Sequence, residues 1–380
     1  MKALILSVNK NTWATTKGYE LADVVEPRLD EKLNPGDADQ VILAPILAGV
    51  CGTDKGIWFR KAFRNSILHA LETDDREYRV AGHEILARVE AVGSNVAREG
   101  RFKVGDMVSA ESHLYCGKCH ACLAGDKHVC LNERIIGVTA DGGFAEKIKL
   151  PANVLWATDT QKIRPEVAAI QEPFGNAVHA CAPFPGASLK GKNVAIFGCG
   201  TIGLFSIMIA RAMGAKKIIG VEPNPRNQEK AKLSGADHVI APSENSAAEI
   251  RAYFGGDGDG ADYCLEMSGF SSSVVQAIQA AGHGGAIVLF GLASGDLIIP
   301  NFEEFIIRGK RIYSVVGRRV FDTWDTSKKL LEDRSNGIQD KIWEVILERG
   351  QGTLLSLKDF DAKKFEDNLS LYSKTLVRIQ

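Results

Sequence analysis

Four cysteines, Cys116, Cys119, Cys122 and Cys130, stand in the run CGKCHACLAGDKHVC with the spacing C-x2-C-x2-C-x7-C. Thiolates this close in sequence can surround one tetrahedral Zn2+ ion, and little else requires them. Two other readings exist. One is a set of scattered buried cysteines. The other is an iron–sulfur cluster, for which the fourth cysteine stands too far off. A structural zinc accounts for the spacing best, and predicts a small metal-pinned lobe at about 113–131.

The other four cysteines are Cys51, Cys181, Cys199 and Cys264. The start MKALILSVNKN turns polar too early for a secretion signal, and no apolar run is long enough to span a bilayer. A cytoplasmic protein is expected, with reduced thiols free to bind metal. At 380 residues the chain should form two domains. Its 46 basic and 47 acidic residues give a formal net charge of -1, so neither nucleic acid nor a membrane surface is an expected partner.

The first 110 residues read as a mostly β unit, with AGHEILARVEAVGSNV and RFKVGDMVSA as strands, and GGFAEKIKLP adds another after the cysteine lobe. The stretch from Gly56 to Arg79 is charged and weakly patterned, an inserted loop or short helix over a cleft. Near Gly191 the pattern changes. NVAIFGCG is a buried-type strand, TIGLFSIMIARAMGA an apolar helix and KIIGVEP a second strand, with ADYCLEMSG, GGAIVLFGL and RIYSVVGR to follow. Strands alternating with helices predict a parallel sheet with ligand sites at the carboxyl ends of its strands. The tail, about 320–380, is helical around KIWEVIL and ends in TLVRIQ, and is expected to rejoin the first domain.

GCGTIG, comprising Gly198, Gly200, Thr201, Ile202 and Gly203 around Cys199, follows a predicted strand and opens a predicted helix. Missing β-carbons let the backbone approach a pyrophosphate, and the helix start offers N–H groups to it. Glu222 closes the next strand, where a carboxylate can accept both adenosine ribose hydroxyls and repel a 2′-phosphate. NAD is therefore favoured over NADP, although nearby Arg226 tempers that preference. The competing reading is a glycine turn beside a surface glutamate.

Cys51 in GVCGTDKG, His83 and Glu84 in AGHE, and Glu172 in QEPFGNAVH are each ordinary alone. An isolated cysteine is usually packed core, and a lone histidine usually a satisfied one. Together they supply a thiolate, an imidazole and two carboxylates, a set able to hold a catalytic zinc with an exchangeable water.

CGTD at 51–54, GHE at 82–84, the cysteine lobe and GCGTIG resemble the corresponding pieces of the zinc-dependent medium-chain alcohol dehydrogenases, and the resemblance covers essentially the whole chain. It implies an α/β fold, a Rossmann-type doubly wound parallel sheet plus a discontinuous, mostly β GroES-like catalytic domain. The implied layout is a catalytic domain at 1–172, an NAD-binding domain at 173–319 and a C-terminal return at 320–380. It also implies two zinc ions (one catalytic, one structural), NAD(P)-linked oxidation of a small polar alcohol, and a homodimer or homotetramer. EPFGNAVH at 172–179, CLEMSG at 264–269 and GRRVFDTW at 317–324 are most similar to the threonine dehydrogenases. Sugar, polyol and cyclitol dehydrogenases share the metal set. A non-catalytic nucleotide-binding protein is the reading from another class.

By resemblance, Cys51, His83 and Glu172 would ligate the catalytic zinc, and Glu84 would exchange onto it. Thr53 would pass on the substrate proton. Asp54 would orient His83, and His113 would assist substrate binding or proton relay. Cys116, Cys119, Cys122 and Cys130 would close the structural site. His179 and Cys199 are expected to pack, and His69, His120, His128, His238 and His283 to lie on the surface or in loops. Two departures stand out: Ala87 replaces the glycine usual in relatives, and Gly56 to Val80 lacks the threonine-dehydrogenase pattern beside the substrate pocket.

Overall fold

The computed structural model describes residues 1–255, 260–292 and 295–380. The chain divides into two compact units, Met1–Pro173 with Leu347–Gln380, and Phe174–Ile346.

The first unit is built on a seven-stranded sheet. Its order is Leu155–Ala157, Met107–Ala110, Glu84–Val92, Gln40–Val50, Thr375–Arg378 and Leu354–Ser356, with Ile148–Pro151 also pairing to Gln40–Val50. Most neighbours are antiparallel. Gln40–Val50 is the longest strand, at 11 residues. It reads as a near-continuous apolar run because both of its faces are covered. Leu43, Val89, Val108 and Phe144 fill the core behind it. Ala87 is buried in the extended strand Glu84–Val92, a backbone that accommodates a methyl group.

The segment from Gly56 to Val80 is more ordered than its charge suggests. It contains the end of helix Gly52–Trp58, then helix Arg64–Thr73, then strand Tyr78–Val80 paired with Lys2–Ser7. Ile67, Leu68 and Leu71 lie on one face of the second helix and join the core.

The second unit is a six-stranded sheet in the order His238–Ile240, Lys217–Val221, Asn193–Phe197, Ala261–Glu266, Ala281–Leu289 and Arg311–Ser314. Every neighbouring pair is parallel. Numbered along the chain this is 3-2-1-4-5-6, the doubly wound arrangement, and the order reverses between Asn193–Phe197 and Ala261–Glu266. Asn193–Phe197 is buried throughout, and helix Thr201–Ala212 buries Gly203 through Ala210.

Residues 320–346 pack with this second unit rather than returning to the first. Helix Asp322–Glu332 buries Trp324 and Leu331. Ile338, Ile342 and Ile346 are buried beside helices Thr201–Ala212 and Pro225–Ser234, and Lys341 Nζ donates to the Ser234 carbonyl at 3.1 Å. That apolar stripe completes the helical layer over the parallel sheet, so the return begins at Leu347 instead of 320.

Candidate active site and metal centres

The lobe brings its four cysteine sulfurs within 4.8 Å of one another. Backbone N–H groups point at them. Cys116 donates to Cys130 Sγ at 3.3 Å, Cys119 to Cys116 Sγ at 3.4 Å and Asn132 to Cys130 Sγ at 3.4 Å. Donors from the Lys118 N–H and the Asn132 side chain bring the Cys116 thiol down to about 6. Burial, with Cys119 and Cys130 close by, pushes Cys122 up to about 12. Four sulfurs this close cannot all ionise without a cation between them, and a dication among four thiolates resolves the conflict.

The second cluster joins Cys51, His83 and Glu84, whose ligating atoms also lie within 4.8 Å of one another. Cys51 precedes helix Gly52–Trp58, where Asp54 Oδ2 accepts the Cys51 N–H at 2.8 Å and fixes the turn. The Tyr19 hydroxyl donates to the Asp54 carbonyl at 3.2 Å. Trp58, in the same helix, is stacked on Phe365 with 4.8 Å between ring centres. His83 follows a loop clamped by Gly142, Gly143 and Phe144, whose N–H groups donate to Val80, Gly82 and Ala81. Glu84 begins the next strand opposite Gly49, where a β-carbon would lie 1.9 Å from Glu84 Oε2.

The electrostatics of this cluster suit a metal. His83 Nδ1 and Asp54 Oδ1 are buried without hydrogen-bond partners, a costly state that a bound ion or its water relieves. Burial acts to lower the His83 pKa, but its hydrogen bond with Cys51 and the charges of Cys51, Asp54 and Glu172 outweigh it. The value rises to about 10, so without a metal a proton neutralises the cluster. Burial raises the Asp54 carboxyl against the opposing charge of His83.

Lys374 completes the cluster. Its Nζ donates to both Glu84 oxygens, at 2.7 and 2.8 Å, and to the Val50 carbonyl at 3.0 Å. The two side chains are 2% and 0% exposed. Burial alone would lower the lysine, but Glu84, Cys51 and Glu172 outweigh it and raise its pKa, so the ammonium stays charged.

In the second unit, Gly198 through Gly203 form the turn and first residues of helix Thr201–Ala212. A β-carbon on Gly203 would lie 2.0 Å from the Gly198 carbonyl, so the turn closes only without one. Thr201 and Ile202 open the helix, whose N-terminal end suits a pyrophosphate. Glu222 is buried, accepting the Cys199 N–H at 2.7 Å and the Asn224 N–H at 2.9 Å. Each oxygen keeps a lone pair for a ribose hydroxyl. Arg226 is exposed one turn away.

Residues 37–160 match the alcohol dehydrogenase GroES-like domain, and residues 201–333 match the zinc-binding dehydrogenase family. L-Threonine 3-dehydrogenase from Caldanaerobacter subterraneus subsp. tengcongensis is 37% identical over 88% of this chain and 90% of its own length. The chain belongs to the zinc-binding dehydrogenases. The Pyrococcus horikoshii enzyme of the same name is also 37% identical, over 83% of this chain and 84% of its own. The crystal structure of galactitol-1-phosphate dehydrogenase from Escherichia coli superposes with a TM-score of 0.81 at 25% identity, covering all of both chains. This zinc-binding dehydrogenase is thus a zinc- and NAD-dependent oxidoreductase with a GroES-like unit and a Rossmann unit.

Not every expected residue of the dehydrogenase sits where the motifs suggest. Glu172, in the first turn of helix Gln171–Cys181, lies outside the Cys51–His83–Glu84 group and accepts the Ser112 hydroxyl at 2.6 Å. Its charge still acts on His83, Asp54 and Glu84. No hydrogen bond joins Asp54 to His83: Asp54 Oδ2 accepts the Cys51 N–H, while its Oδ1 and the His83 Nδ1 have no partner. Thr53 is half-buried on the first turn beside Cys51. His113 is held through Nδ1 by the buried Glu111 at 2.9 Å, which fixes its ring. His179 packs as expected, with Nδ1 at 3.0 Å from the Gly317 carbonyl. His128 is buried in the lobe rather than on the surface, in the short helical turn Lys127–Val129 just before Cys130.

Sequence reasoning missed Lys374, Ser112 and Glu111. The last two sit beside His113 in AESH and were within reach of it. Lys374 carries no local signal at all. No helix among the described residues is long and apolar enough to cross a membrane.

Proposed function

We propose that this dehydrogenase oxidises the secondary alcohol of a β-hydroxy amino acid, with threonine as the model substrate, to a ketone by hydride transfer to NAD+. The observation that carries the reading is the convergence of Cys51, His83 and Glu84 next to Thr53, in a chain 37% identical to L-threonine 3-dehydrogenase over 88% of its length.

Bound zinc supplies a Lewis acid that lowers the pKa of the substrate hydroxyl, and bound NAD+ accepts the hydride. Cys51 and His83 would hold the metal, with Glu172 as the expected third ligand and Glu84 in reach to exchange. Lys374 pairs with the Glu84 carboxylate, so Glu84 is not an isolated buried anion when it does not serve a metal. Thr53 takes the hydroxyl proton and passes it on towards solvent. Asp54 holds the Cys51 backbone still. His113, tied to Glu111, assists substrate binding or the proton's exit. Glu222 and the glycine turn seat the adenosine and pyrophosphate, with NAD preferred over NADP.

The likeness to galactitol-1-phosphate dehydrogenase over the whole chain supports a second reading, a sugar or polyol substrate handled by the same machinery. NADH formation compared across L-threonine, simple secondary alcohols, polyols and galactitol 1-phosphate separates the two. Threonine should lead in kcat/KM by about tenfold or more, a difference of about 1.4 kcal/mol in transition-state binding. A polyol or polyol phosphate leading by that margin would establish the second reading.

The proposal includes a homodimer or homotetramer in the cytoplasm. Ile306 and Ile307, at 63% and 72% exposure, leave apolar surface bare near the edge strand Arg311–Ser314, the kind of patch that associates. None of the eight cysteines forms a disulfide, which suits a reducing compartment.

A further inference from the structure

Glu266 closes the strand Ala261–Glu266, just past the point where the strand order reverses, and is fully buried. Its Oε1 accepts the Ser268 N–H at 2.9 Å, the Gly269 N–H at 3.2 Å and the Ser268 hydroxyl, while Oε2 lies 3.1 Å from the Gly269 nitrogen. A carboxylate, with two acceptor oxygens and no proton to place, suits three donors arriving from one turn. The main chain of Glu266 holds a second turn, its carbonyl accepting the N–H groups of Phe290 at 2.9 Å and Gly291 at 3.1 Å. A third turn leans on the first, since a β-carbon on Gly198 would sit 2.8 Å from Ser268 Cβ. Gly291 is equally close-packed. A β-carbon there would lie 2.1 Å from the Gly269 nitrogen and 2.8 Å from Glu266 Oε2.

Three turns, after Asn193–Phe197, Ala261–Glu266 and Ala281–Leu289, therefore meet around one residue: the Glu266 carboxylate holds Ser268–Gly269, its main-chain carbonyl holds Phe290 and Gly291, and Ser268 packs on the turn at Gly198. In a doubly wound sheet the carboxyl ends of the strands border the dinucleotide. The first three strands take the adenosine half, and the last three the nicotinamide half. Glu222 serves the former, and Glu266 stands at the edge of the latter.

We propose that Glu266 is a positioning residue for the nicotinamide half of the dinucleotide, its carboxylate fixing the turn at Ser268–Gly269, which packs against Gly291 and against the glycine turn at Gly198. It touches no substrate and acts through those turns. The inference rests on NAD being the cofactor of this chain.

The test compares NADH and AMP binding to the zinc-loaded full chain in the wild type, Glu266→Ala and Glu266→Gln. Glu266→Ala should raise the Kd for NADH about tenfold, the effect expected when hydrogen bonds to a charged acceptor are lost. AMP, which occupies the adenosine half alone, should bind within about twofold of wild type on the same scale. Glu266→Gln keeps one acceptor oxygen and should fall between. Should Glu266→Ala fail to fold, Glu266→Gln and Ser268→Ala, which removes a single donor, carry the same comparison. NADH binding within about twofold of wild type in the folded variants, or equal weakening of NADH and AMP, overturns the proposal. A wild-type chain that fails to bind NADH would instead overturn the NAD assignment on which it rests.

Discussion

Cys51 and Lys374 approach the same metal centre with opposite tasks. In the proposed site Cys51 would offer the metal a thiolate, and Lys374 gives Glu84 a partner of its own. Replacing Cys51 with serine should abolish turnover and leave one zinc of two by metal analysis, with the circular dichroism spectrum unchanged. Replacing Lys374 with methionine strands a buried carboxylate, and losing one partner of such a pair costs about 3–5 kcal/mol. Urea denaturation should show that loss at neutral pH. Burial raises the Glu84 carboxyl, and without the lysine it rises further. An acid whose folded pKa is raised is destabilising above that pKa and harmless below its unfolded value. The deficit should therefore shrink as pH falls towards about 4. Adding Glu84→Gln to Lys374→Met should recover part of it at neutral pH and little at about pH 4, where the acid is already neutral. Replacing Glu222 with alanine should raise the KM for NAD more than that for NADP, because the carboxylate serves hydroxyls and opposes a phosphate. Equal rises in initial-rate measurements would remove Glu222 from the ribose site.

The elements differ in how openly the sequence announced them. The cysteine lobe was legible because its ligands are neighbours in the chain, and the glycine turn because strand, GCGTIG and helix are consecutive. In the lobe, metal binding and local folding are one equilibrium. Cys119→Ser should therefore lower the melting temperature by about 5 °C or more, at about 2–4 °C per kcal/mol for a unit of this size, with one zinc lost. An unchanged melting curve with full metal content would count against a structural role. Helix Arg64–Thr73 was only half legible, since Ile67, Leu68 and Leu71 are too few among charges to show a stripe. The placement of 320–346 was not legible. The apolar face of helix Asp322–Glu332 would suit either unit, and only its packing shows which core it completes. For Glu172 the motif located the helix, and the Ser112 hydroxyl that donates to its carboxylate carried no signal of that contact in the sequence.

At the scale of the whole molecule, the bare isoleucines by the edge strand Arg311–Ser314 predict self-association. Ile307→Asp should shift the protein to a smaller species in sedimentation while its melting temperature changes little, since the side chain is outside any core. An unshifted profile would place the interface elsewhere. The discontinuous first unit has a further effect on how the protein is made. Glu84 and Lys374 are 290 residues apart, and the whole of the second unit lies between them. During synthesis the residues around the metal emerge long before the ammonium that steadies Glu84. A ribosome-bound chain lacking Lys374 holds Cys51 and His83 but cannot settle the acid between them. Maturation of the catalytic centre is thereby postponed until the nucleotide-binding portion has been translated, and a stalled or truncated product would carry ligands without a finished site.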